Sequence, residues 1–181
     1  MDDLYRLAEL LKAKNAIDNL IAALTNRPAL IGHTGEYIAS IIFGIKLQKS
    51  AAHKASDGHF VGGSLNDRAV NIKWYTKHDR IIALSTGEQP DDYLVLTGPK
   101  TAPVSSVGTT RPWVIESVFL FDAKELVSTL LAQGTKLSVA TGVPKALWTA
   151  AEIYPVQHNQ RLVLSDEQRT QLALFRPENS A

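Results

Sequence analysis

Apolar residues recur at helical spacing in the first part of the chain. This pattern predicts a helix over residues 3–25, with its apolar positions at Leu4, Leu7, Leu11, Ile17, Leu20, Ile21 and Leu24. A second helix is predicted from about residue 32 or 34 to Phe43, because Tyr37, Ile38, Ile41 and Ile42 fall on one side. Gly44 is the expected C-cap of this second helix, since glycine adopts the left-handed conformation readily.

The middle of the chain alternates between apolar and polar residues, which is typical of strands. The expected strands are 57–62, 68–76, 80–85, 92–97, 114–121 and 136–141. A helix is expected from an Asp122 cap to Gly134, and short helices over 144–154 and 165–175. Helices and strands in this order predict an α/β or α+β protein, with a sheet flanked by helices.

Residues 57–62 and 68–76 are expected to form a hairpin, in which alternate side chains of the second strand share a face. The apolar face holds Val70, Ile72 and Trp74, and the opposite face holds Asn71, Lys73 and Tyr75.

Two registers of this hairpin are possible from the sequence. If residues 62–66 form the loop, Asp57 lies opposite Asn71 and close to Lys73. If the turn is centred on residues 66–67, Asp57 moves toward Tyr75, and the cluster of Asp57, Asn71 and Lys73 becomes looser. The sequence does not choose between these registers.

Composition narrows the class of protein. The formal net charge of the 181 residues is +1, so nucleic-acid binding would require a local basic patch. There is no cysteine, which excludes disulfides and thiolate metal sites and suits a reducing cytoplasm. The acidic, amphipathic N-terminus is unlike a signal peptide, and no apolar run approaches the ~20 residues of a membrane span. We therefore expect a cytoplasmic protein without a membrane partner.

Three short segments occur in an order that points to a known family. They are "GEYIASIIFG" with Glu36, "SDGHF" with Asp57, and "NIK" with Asn71 and Lys73. Together they resemble the PD-(D/E)xK nuclease superfamily, over roughly residues 30–133. The resemblance implies a restriction-endonuclease-like fold, with a mixed central sheet flanked by helices. We expect this core, with the N-terminal helix, over residues 1–145, and a C-terminal extension over 146–181 packed on it.

The resemblance also implies roles for the site residues. Asp57 would be the main ligand of Mg²⁺ (Mn²⁺ is an alternative), with Asn71 in the second acidic position and the Ile72 carbonyl as a backbone ligand. Lys73 would orient the attacking water or stabilise charge on the phosphate, and Glu36 would hold a water of the ion. Phosphodiester hydrolysis needs such a cation to neutralise the phosphate and to lower the pKa of water.

Two departures from the family pattern concern the metal site. Ser56 stands where the motif name has proline, and Asn71 stands where the family has Glu or Asp, although some members carry Gln. An amide oxygen can coordinate a metal but brings no negative charge, so we expect weaker metal binding.

Nucleic acid, with DNA favoured, is the implied partner, in a restriction-like or defence role. The candidate contacts are Lys49, Lys54, His59, Tyr75 and Lys77. Cutting both strands of a duplex requires two such sites, which suggests a homodimer.

Three other interpretations remain open. The same fold could be a non-catalytic nucleic-acid-binding or assembly module, in which Asn71 marks a lost metal site. Asp57 and Lys73 could be a simple cross-strand ion pair. The motif could also be accidental, in which case a parallel sheet without a hairpin would be expected over residues 57–75. A zinc site built from His33, His53 and His59 is disfavoured by their spacing.

Overall fold

A computed structural model of the protein describes residues 2–48, 55–84, 87–100 and 110–177. Five α-helices occur in these ranges: α1 (Asp2–Thr25), α2 (Ile31–Phe43), α3 (Ala123–Ala132), α4 (Lys145–Ala151) and α5 (Asp166–Ala173). A single 3₁₀ turn spans Gly63–Leu65. As predicted, Gly44 caps α2 in the left-handed conformation, and the Asp122 carboxylate caps α3 by accepting the Glu125 N–H.

A six-stranded mixed sheet forms the centre of the protein, with the order β1-β2-β3-β5-β6-β8. Its strands are β1 (Ile45–Leu47), β2 (Gly58–Phe60), β3 (Ala69–Tyr75), β5 (Asp92–Thr97), β6 (Ser117–Asp122) and β8 (Glu152–Tyr154). β3 and β5 pair in parallel, and the other neighbours are antiparallel. Strands β4 (Ile81–Ile82) and β7 (Thr141–Gly142) form a separate two-stranded ribbon. The expectation of an α/β protein with a mixed central sheet flanked by helices is confirmed.

Apolar residues pack in two layers, one on each face of the sheet. α2 and α5 cover the face that carries Val70, Ile72 and Trp74. α3 and α4 cover the other face, which carries Tyr93 and Phe119. β5 lies between the layers and is buried at every position, which explains its nearly continuous apolar sequence.

A buried carboxylate, that of Asp92, lies at the first residue of β5. Asp92 has no exposed surface, and its two carboxylate oxygens accept hydrogen bonds from Arg68 (2.6 Å) and Arg161 (2.7 Å). Because both oxygens are paired with cations, the charge is compensated where it is removed from water.

The hairpin of β2 and β3 adopts the first of the two predicted registers. Gly58 pairs with Val70 and His59 pairs with Ala69. Continuing this register by one residue places Asp57 opposite Asn71. The predicted alternation along β3 is also confirmed, because the side chains of its apolar face are at most 7% exposed.

Some predicted boundaries are wrong. Residues 152–154 form β8 rather than the end of a helix, because they pair with the free edge of β6. β6 begins at Ser117 rather than at residue 114, since the preceding residues form other bonds: the Val114 carbonyl accepts the Trp74 indole N–H and the Ile115 N–H donates to Phe175. Of the strand predicted at 136–141, only Thr141 is in β7. Of the strand predicted at 80–85, only residues 81–82 among the described positions 80–84 are in β4, and residue 85 lies outside the described ranges.

Residues beyond 145 are built into the sheet and the core. β8 supplies the sixth strand, and Leu172 of α5 is fully buried in the same layer as α2. The Gln168 amide donates to the Ile42 carbonyl at 2.8 Å, which joins α5 to the end of α2. Within the described ranges, no helix has both the length and the apolarity needed to cross a membrane.

Glycine permits α2 to lie very close to β3. A Cβ atom on Gly35 would lie 3.0 Å from the Trp74 Cβ and 3.1 Å from its Cε3. Glu36 is the next residue, so this close contact also fixes the position of its carboxylate.

We predict opposite effects for two Gly→Ala substitutions in α2. Gly35→Ala should lower the free energy of unfolding by about 1–3 kcal/mol, because the added methyl group pushes α2 away from Trp74. Gly32→Ala is the matched control, since nothing lies within 4 Å of its Cβ position, and it should raise stability by about 0.5 kcal/mol. Urea unfolding measures both, and equal effects would contradict the close-contact explanation.

Candidate functional site

Asp57 lies just before β2 and is held by three hydrogen bonds. Its backbone N–H donates to the Val70 carbonyl, and its carbonyl accepts the Gln48 N–H, both at 2.9 Å. Its carboxylate Oδ2 accepts the backbone N–H of Ile72 at 2.6 Å. β2 begins only at Gly58, so the carboxylate takes the place of the next backbone acceptor and ties Asp57 to β3 beside Asn71 and Lys73.

Glu36 approaches the same region from α2. Its side chain is 15% exposed and forms an ion pair with Arg27. The second amino group of Arg27 donates to the Gln48 carbonyl at 3.3 Å, so Arg27 connects Glu36 with the segment that holds Asp57. His33 Nδ1 lies 3.7 Å from Glu36 Oε1, which is too long for a hydrogen bond.

Sequence reasoning missed Arg27 and Gln48. Arg27 follows a helix and precedes a proline, and Gln48 follows a short strand, so neither position carries a recognisable motif. Their role depends on the way α1, α2 and β1 converge.

Lys73 is half-buried and has no polar partner. Its Nζ lies 5.4 Å from the centre of the Tyr93 ring, a distance that permits a cation–π interaction. Within the described part of the chain, the amine forms neither a hydrogen bond nor a salt bridge. The structure therefore does not contain the direct Asp57–Lys73 ion pair that the sequence allowed, although the two charges attract each other.

An open cleft of about 550 Å³ lies along this face of β3. Its polar lining residues include Asn71, Lys73, Glu88 and Tyr93. The Oδ1 atom of Asn71 is buried and has no hydrogen-bond partner among the described residues. Because this oxygen has almost no exposed surface, a cation or a hydrogen-bond donor in the cleft could bind it only after the side chain or its neighbours move. Glu36 and Asp57 do not line the cleft and lie on the side of β3 where the Ile72 N–H emerges.

Burial and mutual interaction shift the pKa values of three charged groups at the site, which are Asp57, Glu36 and Lys73. Burial raises the pKa of Asp57, and the Ile72 N–H and Lys73 oppose this rise. Burial, followed by repulsion from Asp57, raises the pKa of Glu36. Burial lowers the pKa of Lys73, and Asp57 opposes that change. Such opposed shifts in neighbouring groups are typical of functional sites.

The sign of these carboxyl shifts has a consequence for stability. A carboxyl group whose pKa is raised by folding stabilises the fold below its ordinary pKa, and this contribution is lost as the pH rises through the raised value. Considered by themselves, the Asp57 and Glu36 carboxyl groups therefore contribute less to the free energy of unfolding at neutral pH than in acid.

The residues near Asp57 offer a sparse donor set for a hard cation. No group of three or more His, Asp or Glu side chains in the described ranges is arranged to hold a metal ion. Mg²⁺, however, often uses one or two carboxylates with neutral oxygens and water. The Asp57 carboxylate, the unpaired Asn71 Oδ1 and the Ile72 carbonyl would supply one charge and two neutral oxygens.

The other predicted contacts have different environments. Lys49 and Lys54 lie outside the described residues, as does His53. His59 is in β2, opposite Ala69. The Tyr75 hydroxyl accepts the Ala83 N–H at 2.9 Å, and Lys77 forms an ion pair with Asp79, so both have partners within the protein.

Comparison of the sequence with protein-family models and with curated proteins gives no match. What the protein does must therefore be argued from the site.

We predict that Asp57→Asn lowers the pKa values of both Glu36 and Lys73. Glu36 loses the repulsion that helps to raise its pKa, and Lys73 loses the attraction that opposes the effect of burial. NMR titration of the Glu and Lys side chains measures both values. Asp67→Asn, which removes a carboxylate from an exposed turn, should change neither, and an unchanged Lys73 in Asp57→Asn would disprove the coupling.

Proposed function

We propose that the protein is a PD-(D/E)xK-type nuclease with a restriction-endonuclease-like fold, which hydrolyses phosphodiester bonds in nucleic acid with the help of Mg²⁺ or Mn²⁺. The observation that carries this proposal concerns a cleft beside Asp57: neither the Lys73 amine nor Asn71 Oδ1 has a polar partner there among the described residues. A half-buried cation without a partner costs free energy, and an anion bound in the cleft would remove that cost.

Each site residue has a distinct proposed role. Asp57, Asn71 and the Ile72 carbonyl would hold the divalent cation, which would neutralise the phosphate and lower the pKa of the attacking water. Lys73 contacts the phosphate and stabilises the negative charge that develops there. Glu36, held close to Asp57 by Arg27, orients the water.

Substrate and setting are also part of the proposal. DNA is favoured over RNA, and a restriction-like or defence role is proposed, both on the sequence resemblance. We propose a homodimer for duplex cleavage, because one site cuts one strand. The absence of cysteine suits a cytoplasmic location.

The decisive experiment is cleavage of linear, circular and single-stranded DNA with Mg²⁺ or Mn²⁺. We expect metal-dependent cutting that falls about 100-fold or more in Asp57→Asn and in Lys73→Met, since removal of one group that stabilises transition-state charge has effects of this size. Asp57→Asn keeps an oxygen that can accept the Ile72 N–H, so the variant should retain the hairpin.

The matched controls remove the same charges elsewhere. Asp67→Asn and Lys124→Met alter exposed residues and should cut at the wild-type rate. Cleavage that persists in both site variants, or no cleavage of any substrate by the wild type, would rule out the proposed site. Light scattering on the same samples tests the dimer, which a fully active monomer would contradict.

A non-catalytic nucleic-acid-binding or assembly module is the second candidate. Two observations favour it: Arg27 already neutralises Glu36, and Asn71 brings no charge to the metal site. In this interpretation the cleft binds an anionic partner through Lys73 and needs no cation.

Asn71→Asp distinguishes the two candidates. In a nuclease, the added carboxylate should tighten Mn²⁺ binding by about tenfold or more, because 1.4 kcal/mol of additional attraction is enough for that change. Cleavage should then saturate at lower metal concentration. Asn66→Asp is the control, since it adds the same charge in an exposed loop. Equal metal binding by the two variants, without cleavage, would favour the module. Calorimetric Mn²⁺ titration provides the measurement.

A further inference from the structure

A second pocket, of about 320 Å³, lies beyond the ends of the two parallel strands. His78 follows β3, Lys100 follows β5, and Trp148 of α4 forms part of the wall. The His78 backbone N–H donates to the Pro99 carbonyl at 3.0 Å, which holds the two strand ends together. Ligands of open α/β sheets commonly bind outside the carboxyl ends of the strands.

The mouth of this pocket is rich in cations that lack partners. Arg80, Lys100 and Lys145 are exposed lining residues, and none of their side chains forms a hydrogen bond or salt bridge with a described residue. Glu152 is the one carboxylate among the lining residues, and His158 lies 3.9 Å from it. Three cations against one carboxylate leave an excess of positive charge that an anion would balance.

The inner wall carries nitrogen atoms without partners. Trp148 is 3% exposed, and neither its indole Nε1 nor His78 Nδ1 has a hydrogen-bond partner among the described residues. The indole N–H is only a donor, and its nitrogen has almost no exposed surface, so a ligand acceptor could reach it only after neighbouring side chains move. Burial and the nearby Lys100 lower the pKa of His78 to about 4, so the ring is neutral at pH 7.

The aromatic rings restrict the kind of ligand that fits. Trp148 packs edge-to-face against His78, Phe119 and Phe121 and is 3% exposed, so its ring has almost no free surface. A nucleobase therefore cannot stack on it. An anionic group with several acceptor oxygens, such as a phosphate, matches the cations at the mouth.

We propose that this pocket binds a backbone phosphate of the nucleic-acid strand whose hydrolysis is proposed at Lys73, and this inference rests on that proposed function. Lys73 and His78 are five residues apart, which is at most about 17 Å along an extended chain. Tyr93 of the cleft and Phe119 of the pocket belong to the same apolar layer, so both sites open on one face of the sheet. One strand a few nucleotides long could contact both.

The test follows the indole N–H signal of Trp148 by NMR during titration with a short duplex, a short single strand, or inorganic phosphate, in the presence of EDTA. Comparison with Trp148→Phe, or sequential assignment, identifies the signal. The Trp74 indole N–H, which donates a hydrogen bond to the Val114 carbonyl, is an internal reference. We expect the oligonucleotide to shift the Trp148 signal and to leave that of Trp74 in place.

A comparison of two double Lys→Gln variants provides the second readout. Lys100→Gln with Lys145→Gln should weaken binding of the duplex and reduce the slope of log affinity against log salt by about two, roughly one for each lost phosphate contact. Lys12→Gln with Lys14→Gln removes the same charge from α1 and should leave the slope unchanged. All four lysines are exposed, so both double variants should fold.

The outcomes distinguish a failure of the pocket proposal from a failure of the proposed nuclease. Oligonucleotide binding without a Trp148 shift, and with equal slopes in the two double variants, would overturn the proposal even if Asp57→Asn abolishes cleavage. A shift with inorganic phosphate but not with an oligonucleotide would also overturn it, by showing a small-ligand site. A shift and a reduced slope in a protein that cuts nothing would support the pocket and refute the nuclease.

Discussion

The hydrogen bond from the Ile72 N–H to the Asp57 carboxylate joins the two strands on which the candidate site depends. β2 does not extend to the point where β3 presents this N–H, so without the carboxylate a backbone donor would lack its partner in a region removed from water. The same bond holds a negative charge beside Lys73. Local hairpin structure and the electrostatics of the site are therefore maintained by one short-range contact.

Charged groups around this bond are buried at an energetic cost that the protein only partly offsets. Arg27 pairs with Glu36, and the Ile72 N–H binds Asp57. Within the described part of the chain, neither the Lys73 amine nor the Asn71 oxygen has a hydrogen-bond partner. This imbalance is the physical basis of the proposed function. A site whose polar groups were all paired within the protein would stabilise the fold and would have little capacity left for a ligand.

Sequence patterns could predict much of this site because its central residues lie on adjacent strands. Alternation along β3 places Asn71 and Lys73 on one face, and the length of the hairpin loop limits Asp57 to two registers. The choice between them required the structure, because it depends on how the turn packs. Arg27 could not be predicted, since its pairing with Glu36 depends on how the connection between α1 and α2 lies against α2.

The sequence by itself determined the elements whose patterns are local: α2 with its glycine cap, α3 with its aspartate cap, and the alternating faces of β3. Backbone sterics and side-chain periodicity act within a few residues, so these features can be read along the chain. Only the tertiary structure decided that residues 152–154 form an edge strand, and that Lys100 and Lys145 surround one pocket. Those arrangements join residues distant in sequence, and they arise from the pairing of free strand edges and the burial of apolar surface.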